Sequence, residues 1–206
     1  MALHSLAEKV LDAGLVQPNQ TTCGSCTLVV AHAINDPAYA GYLVNGTDPP
    51  ADAEPAATMR DRFRAQALAT HKITSGFKDG EGGFQVPWPQ ALGTQPWALA
   101  RQMTNDAGRQ GKRYTAQPIL PSHRSRTFGR VVSLSGDGHT VPLFVGNRWS
   151  PRHVVLALPA DDVSSSEVPI YDPANGRCYP IESDDFSDGD LDVAGWEVPW
   201  AVVLPT

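Results

Sequence analysis

Two cysteines, Cys23 and Cys26, stand three residues apart in the turn-prone segment QPNQTTCGSC, which runs into the apolar segment TLVVAHAIND. The apolar segment predicts a buried helix, because a helix that is apolar on all faces is normally buried. The two thiols would then lie where a loop becomes a helix. Unpaired N–H groups and the partial positive charge of the helix dipole favour a thiolate at such a position. A thiolate held there is suited to attack a carbonyl carbon.

A thiolate nucleophile also needs a base, a group that orients the base, and donors for the developing oxyanion. His153 opens the predicted strand HVVLAL, and Asp172 lies in the turn YDPANG after the next predicted strand. Adjacent antiparallel strands would bring these two side chains together. Gln17 and Gln20 stand just upstream of the thiols, where a side-chain amide can donate to an oxyanion. The sequence therefore offers a candidate for each role in nucleophilic catalysis.

This chain order of glutamine, cysteine at a helix start, histidine on a strand and then Asp or Asn resembles the papain-like cysteine peptidases. Within that superfamily, the motif can be aligned with this sequence in two ways, which we call framings. The framing of papain itself pairs Gln20 with Cys26 as the nucleophile. The framing of the bacterial peptidases that remove double-glycine leader peptides pairs Gln17 with Cys23. Both pairs are six residues apart, so the spacing does not separate them.

The motifs farther along the chain favour the second framing. Papain-type enzymes have an aromatic residue after the cysteine and carry their asparagine in an Asn-Ser-Trp-Gly segment, whereas here Thr27 follows Cys26 and the late segment is YDPANG. Histidine on a strand followed by an Asp-Pro turn resembles the leader-peptidase group. The resemblance covers residues near 17–34 and 141–176, and it implies one residue for each role of nucleophile, base, orienting group and oxyanion donor: Cys23, His153, Asp172 and Gln17.

Other functions for the CGSC segment stay open. Its spacing is that of the thioredoxin active site, although a redox dithiol should follow a core strand in a βαβ unit and this one follows a helix and a polar turn. A zinc site would need two more ligands, with only Cys178 and scattered histidines to supply them. A papain-like thiol site also supports deamidation or transglutamination, as in an effector or toxin. A chain that keeps only the cleft would be a non-catalytic peptide-binding module.

Hydrophobic periodicity predicts an α+β fold. Apolar residues at helical spacing predict helices near Leu3–Leu11, Met59–Ile73 and Trp97–Ala107, in addition to the cysteine helix. Short β-branched runs then predict five strands, which are Thr140–Val145, His153–Leu158, Val168–Tyr171, Cys178–Ile181 and Val198–Leu204. Together with the resemblance, this order predicts a single papain-like catalytic domain over 1–206. A helical lobe (about 1–115) would pack on an antiparallel β lobe (about 116–206), with the cleft between them.

Two segments are predicted to be loops. The Gly- and Pro-rich segment 75–96 also carries aromatic residues, which is typical of a structured loop that lines a cleft. The acidic run ESDDFSDGDLD (182–192) lacks the residue spacing of an EF-hand, and we expect it to be a solvated loop rather than a calcium site.

Composition narrows the class of partner. The chain of 206 residues has a formal net charge of −6, which argues against nucleic acid or an anionic membrane as partner. No apolar run is long enough to span a bilayer, and the N-terminus is typical of an amphipathic helix rather than a secretion signal. Three cysteines do not form a disulfide framework. We therefore expect a cytoplasmic protein, or one exported without a signal peptide, with a peptide or protein substrate and no cofactor or metal.

Overall fold

The computed structural model describes residues 3–51, 53, 55–75, 94–161 and 164–206. The fold is of the α+β class, as predicted, and combines helices with a six-stranded antiparallel sheet. Most of the segment predicted to be a loop beside the cleft, residues 76–93, lies outside the described residues.

Five α-helices occupy the described part of the chain before the first strand: α1 (Ser5–Asp12), α2 (Cys23–Asn35), α3 (Pro37–Asn45), α4 (Met59–Ser75) and α5 (Pro96–Gln102). A π-helical turn over Met103–Ala107 continues α5. Four of these helices correspond to predicted ones, whereas α3 was not predicted. Asp36 caps α3 by accepting from the N–H groups of Ala38 and Tyr39, and Gly46 ends it in the left-handed conformation.

The sheet contains the strands β1 (Tyr114–Pro118), β2 (Val141–Asn147), β3 (Ser150–Ala157), β4 (Glu167–Asp172), β5 (Arg177–Glu182) and β6 (Val198–Pro205). Their order across the sheet is β1-β6-β2-β3-β4-β5, and all neighbours are antiparallel. Five strands match the predicted runs. The sixth, β1, was not predicted, and it pairs with β6 at one edge of the sheet.

The second half of the chain also contains two helices that the sequence analysis missed, α6 (Arg124–Gly136) and α7 (Ser183–Asp188). The prediction of a loop for the acidic run was therefore wrong over residues 183–188. Phe186 in this run is fully buried and packs against Phe128 of α6, with 5.3 Å between ring centroids. The carboxylates of Asp184, Asp185 and Asp188 are exposed, so one aromatic residue anchors an otherwise solvated helix.

Different helices cover the two faces of the sheet. Successive side chains of a strand point to opposite faces, so the residues of β3 show which helices lie on each face. Val154 and Leu156 of β3 lie in one apolar cluster with α1 to α5. Val155 of β3 lies in a second cluster with α6 and α7. Helix α2 crosses β3 directly, and the hydroxyl of Thr27 donates to the carbonyl of Val154 at 3.4 Å. This crossing places the start of α2 beside the start of β3.

Candidate active site

Cys23 is the first residue of α2 and is only 2% exposed. The first N–H groups of an α-helix have no acceptor within the helix, and at α2 no side chain caps them. These N–H groups and the helix dipole together give a positive electrostatic potential at the Cys23 sulfur. The same N–H groups are available to a negatively charged oxygen at this position.

His153 and Asp172 meet across the gap between two neighbouring strands. Strands β3 and β4 pair over Leu156–Ala157 and Ile170–Tyr171, and the two polar residues lie just beyond this paired segment. His153 Nε2 donates to Asp172 Oδ1 at 2.7 Å, and both side chains are buried. Because this hydrogen bond occupies Nε2, the ring nitrogen Nδ1 is left for another partner.

That partner is the thiol of Cys23, which is hydrogen-bonded to the His153 ring. Burial lowers the pKa of His153, but the hydrogen bonds to Asp172 and Cys23 outweigh burial and raise the pKa to about 9. At neutral pH the ring is therefore mostly an imidazolium, the form that can pair with a thiolate. The structure thus brings Cys23, His153 and Asp172 together in one chain of hydrogen bonds.

Four donors surround the Asp172 carboxylate, which is fully buried. Oδ1 accepts from His153 and, at 2.9 Å, from the N–H of Ala174. Oδ2 accepts from the Tyr179 hydroxyl at 2.8 Å and from Asn175 Nδ2 at 3.1 Å. Burial by itself would raise the pKa of Asp172, but the bonds from His153 and Ala174 outweigh it and the pKa is lowered. The group is therefore ionised at neutral pH and fixed in orientation.

The segment that carries Gln17 is attached to the turn that follows Asp172. The N–H of Gln17 donates to the carbonyl of Pro173 at 2.8 Å. The Tyr171 hydroxyl donates to the carbonyl of Leu15 at 2.5 Å. These two bonds fix the backbone before α2 relative to the end of β4, so Gln17 has a defined position beside the orienting carboxylate.

The two candidate glutamines differ in their surroundings. Oε1 of Gln17 is buried and has no hydrogen-bond partner within the described part of the chain. Gln20 is exposed. Gln17 is therefore partly buried and fixed at its backbone, whereas Gln20 faces solvent.

The two candidate cysteines also differ. Cys26 is fully buried, and its thiol is hydrogen-bonded to Thr22. Burial, followed by the neighbouring Cys23 thiol, raises the pKa of Cys26 far above its usual value, and the bond to Thr22 opposes this effect only in part. Cys26 is therefore a protonated core thiol. The geometry favours the pair of Cys23 and Gln17 over the pair of Cys26 and Gln20.

The third thiol lies away from the other two. Cys178 is an exposed residue of β5, and desolvation of its sulfur, followed by Asp12, raises its pKa to about 11. Among the residues that the structure describes, no three His, Cys, Asp or Glu side chains are grouped to hold a metal ion. None of the described helices combines the length and apolar composition needed to cross a bilayer.

A cavity of about 260 Å³ lies between α2, α4 and the π-helical turn, and no residue of β3 lines it. Its lining includes Leu28, His32, Ile73 and Asp106, and none of the three residues of the hydrogen-bonded chain contributes to it. The candidate active site is therefore identified by its chemistry and not by the size of a cavity.

Two residues of the site were missed by the sequence analysis, Asn175 and Tyr179. Asn175 lies in the YDPANG turn, and Tyr179 follows on β5. The available signal was strand register. A tight turn between β4 and β5 places Tyr179 opposite Ile170 and diagonal to Asp172, on the same face of the sheet.

No protein-family model matches the sequence, and no curated protein is significantly similar to it. The functional conclusion therefore depends on the residues and their geometry.

Proposed function

We propose that this protein is a papain-like cysteine hydrolase that cleaves amide bonds in a peptide or protein through an acyl-enzyme. One observation carries the proposal: a thiol at a helix start is hydrogen-bonded to a histidine whose other ring nitrogen is held by a buried carboxylate. Cys23, His153 and Asp172 come from three separate segments of the chain. This combination of nucleophile, base and orienting group is the arrangement that nucleophilic catalysis requires.

In the first half of the reaction, the Cys23 sulfur forms a bond to the substrate carbonyl carbon and the carbonyl oxygen takes the electron pair. The N–H of Cys23 and the side-chain amide of Gln17 bind this oxyanion. The carbonyl then reforms as the C–N bond breaks. His153, protonated because its pKa is about 9, gives its Nδ1 proton to the leaving amine.

In the second half, water attacks the thioester and His153 takes the proton of the water as a general base. The C–S bond breaks, and the acid product leaves. Asp172 remains ionised throughout, since its pKa is lowered, and it keeps the ring in the orientation that presents Nδ1 to the sulfur.

The architecture gives little support to a thioredoxin-like dithiol. A redox CxxC of that type follows a core strand in a βαβ unit. Within the described residues the sheet is antiparallel, and α2 follows α1 and a loop instead of a strand. Cys26 also makes a poor exchange partner, since a buried and protonated thiol reacts slowly.

The test is the rate at which iodoacetamide alkylates each cysteine near pH 7, followed by peptide mapping with mass spectrometry. We expect Cys23 to be labelled rapidly and Cys26 and Cys178 to be labelled slowly. His153→Ala should slow the labelling of Cys23, whereas Cys178→Ser, which removes a thiol outside the site, should leave it unchanged. Equal and slow labelling of all three thiols would refute an activated nucleophile, and rapid labelling of Cys26 would refute the choice of Cys23.

A second assay separates hydrolysis from disulfide chemistry. The purified protein should cleave members of a peptide library, and Cys23→Ala should abolish the cleavage while Cys26→Ser retains it. The protein should not reduce insulin disulfides. Reduction of insulin that is lost in both Cys23→Ser and Cys26→Ser would assign the protein to the oxidoreductases instead.

A further inference from the structure

The Tyr179 hydroxyl makes a contact that the mechanism above does not use. It donates to Asp172 Oδ2 at 2.8 Å, on the opposite side of the carboxylate from His153. Tyr179 is partly buried, and its ring packs against the apolar cluster beneath α6 and α7. The residue therefore has an apolar part that contributes to the core and a polar part that reaches the site.

The sheet explains why the hydroxyl reaches this carboxylate. Tyr179 pairs with Ile170, and Asp172 is two residues farther along β4, so the two side chains project from the same face as diagonal neighbours. A diagonal separation of about 7–8 Å is within reach of a tyrosine side chain. Residues 173–176 form the turn between the two strands, which keeps this register fixed.

The other groups around the phenol are acidic or neutral. Asn175 contacts the phenol and donates to the same carboxylate oxygen, and Asp192 is the other nearby charge. Burial, followed by the hydrogen bond to Asp172, raises the pKa of Tyr179. The phenol therefore keeps its proton and remains a donor over the whole pH range in which the site would work.

We propose that Tyr179 is a positioning residue of this active site: its hydroxyl holds the Asp172 carboxylate so that Oδ1 faces His153 Nε2. This inference rests on the proposed function. Oδ1 has its own backbone donor in Ala174, and Oδ2 has Tyr179 and Asn175, so rotation of the carboxylate would break hydrogen bonds on both oxygens at once. The hydroxyl also stabilises the ionised form of Asp172, because a donor to a carboxylate favours its charged state.

The experiment compares Tyr179→Phe with wild-type protein and with a matched control, Tyr114→Phe. Both changes remove one hydrogen-bonded hydroxyl from a tyrosine and keep the ring. The Tyr114 oxygen accepts from the N–H of Arg109 at 3.0 Å, on β1 at the opposite edge of the sheet from β5. The rate of alkylation of Cys23 by iodoacetamide is measured as a function of pH, and thermal unfolding is measured for all three proteins.

We expect the acid side of the profile to move to higher pH in Tyr179→Phe only. With one donor lost, Asp172 takes up a proton at higher pH, and the imidazolium that supports the thiolate loses its partner. Loss of a hydrogen bond to a charged group changes an equilibrium constant by roughly a factor of ten. At a pH on the acid side of the profile, the alkylation rate of Cys23 should therefore fall about tenfold. A Tyr179→Phe profile that superimposes on the wild-type profile would overturn the proposal. An equal shift of the profile in Tyr114→Phe would also overturn the proposal.

An NMR titration of the Asp172 side-chain carboxyl carbon keeps this test separate from the test of the proposed function. The Tyr179→Phe change should move that titration to higher pH, and Tyr114→Phe should not. If wild-type Cys23 proves no more reactive than a free thiol, the proposed function fails and the carbon titration alone decides the role of Tyr179. An unchanged titration in Tyr179→Phe refutes it.

Discussion

Replacement of Gly176 by alanine tests how the segment before α2 is attached to the turn after β4. Gly176 has a φ of 70°, in the left-handed region that favours glycine. A Cβ added there would lie 2.6 Å from the carbonyl carbon of Gly14, 2.8 Å from its oxygen and 3.0 Å from the Leu15 nitrogen. All three atoms belong to the backbone, so a change of rotamer cannot relieve the clash, and one of the two segments must move.

The expected loss of free energy of unfolding in Gly176→Ala has two parts. A residue with a Cβ in the left-handed region costs about 1–2 kcal/mol. Overpacking of a well-filled contact costs a further 1–3 kcal/mol, roughly. Gly111 provides the matched control, because its φ is 75° and nothing lies within 4 Å of the added Cβ. Gly111→Ala should therefore show the first cost alone.

The assay is chemical denaturation of both variants, together with the alkylation rate of Cys23 at pH 7. Gly176→Ala should lose more free energy of unfolding than Gly111→Ala, by about 1–3 kcal/mol. Its Cys23 should also be labelled more slowly, because the displaced turn follows Asp172, which orients His153. Equal losses of stability combined with equal labelling rates would refute the close approach of the two backbones. They would also refute the attachment of Gln17 to the turn.

Three further outcomes follow from the site. Gln17→Ala should lower turnover by about 10²–10³ while rapid labelling of Cys23 persists, since an oxyanion donor acts on the substrate and not on the thiol; full turnover in this variant would remove Gln17 from the mechanism. His153→Ala should reduce turnover nearly as much as Cys23→Ala, and Asp172→Ala should reduce it less, as judged by kcat/KM. Turnover should decline as the pH rises through about 9, because the deprotonated ring cannot give a proton to the leaving amine; a decline already complete at pH 7 would contradict the raised pKa of His153.

The elements that carry Cys23, His153 and Asp172 could be predicted from the sequence because each has a strong local signal. Helix α2 is buried from Cys23 to Ala31, which matches its continuous apolar character. Strands β3 and β4 consist mainly of β-branched and aromatic residues between turn signals. The α+β class followed from the order of these elements along the chain.

The elements that were missed depend on tertiary packing. Helix α6 contains Gly129 and several Ser and Val residues, which are weak helix formers. Its burial of Phe128 and Val131 against the sheet stabilises it, and no local pattern revealed that surface. Strand β1 is only five residues long and has β6 as its partner, almost ninety residues later by register, so its sequence gave little local indication of pairing.

The hydrogen-bond partners within the site were beyond sequence reasoning for a related reason. The motifs farther along the chain favoured Cys23 over Cys26, but six-residue spacing to a glutamine is common to both, and the contact of one thiol with His153 is a tertiary feature. The position of Tyr179 required the register between β4 and β5. Both are properties of how elements meet, which local propensity does not specify.

Contacts outside the candidate active site hold its residues in place. Helix α2 is held against β3 by the bond from Thr27 to Val154, which fixes the approach of Cys23 to His153. The loop before α2 is bonded to the end of β4 and the turn after it through Leu15 and Gln17, which fixes the backbone of Gln17 relative to Asp172. The residues assigned to the proposed reaction are thus held by contacts that their own reacting atoms do not make. In the proposed reaction, such an arrangement would reduce the reorganisation needed at the moment of attack, which is the main source of electrostatic stabilisation in catalysis of that kind.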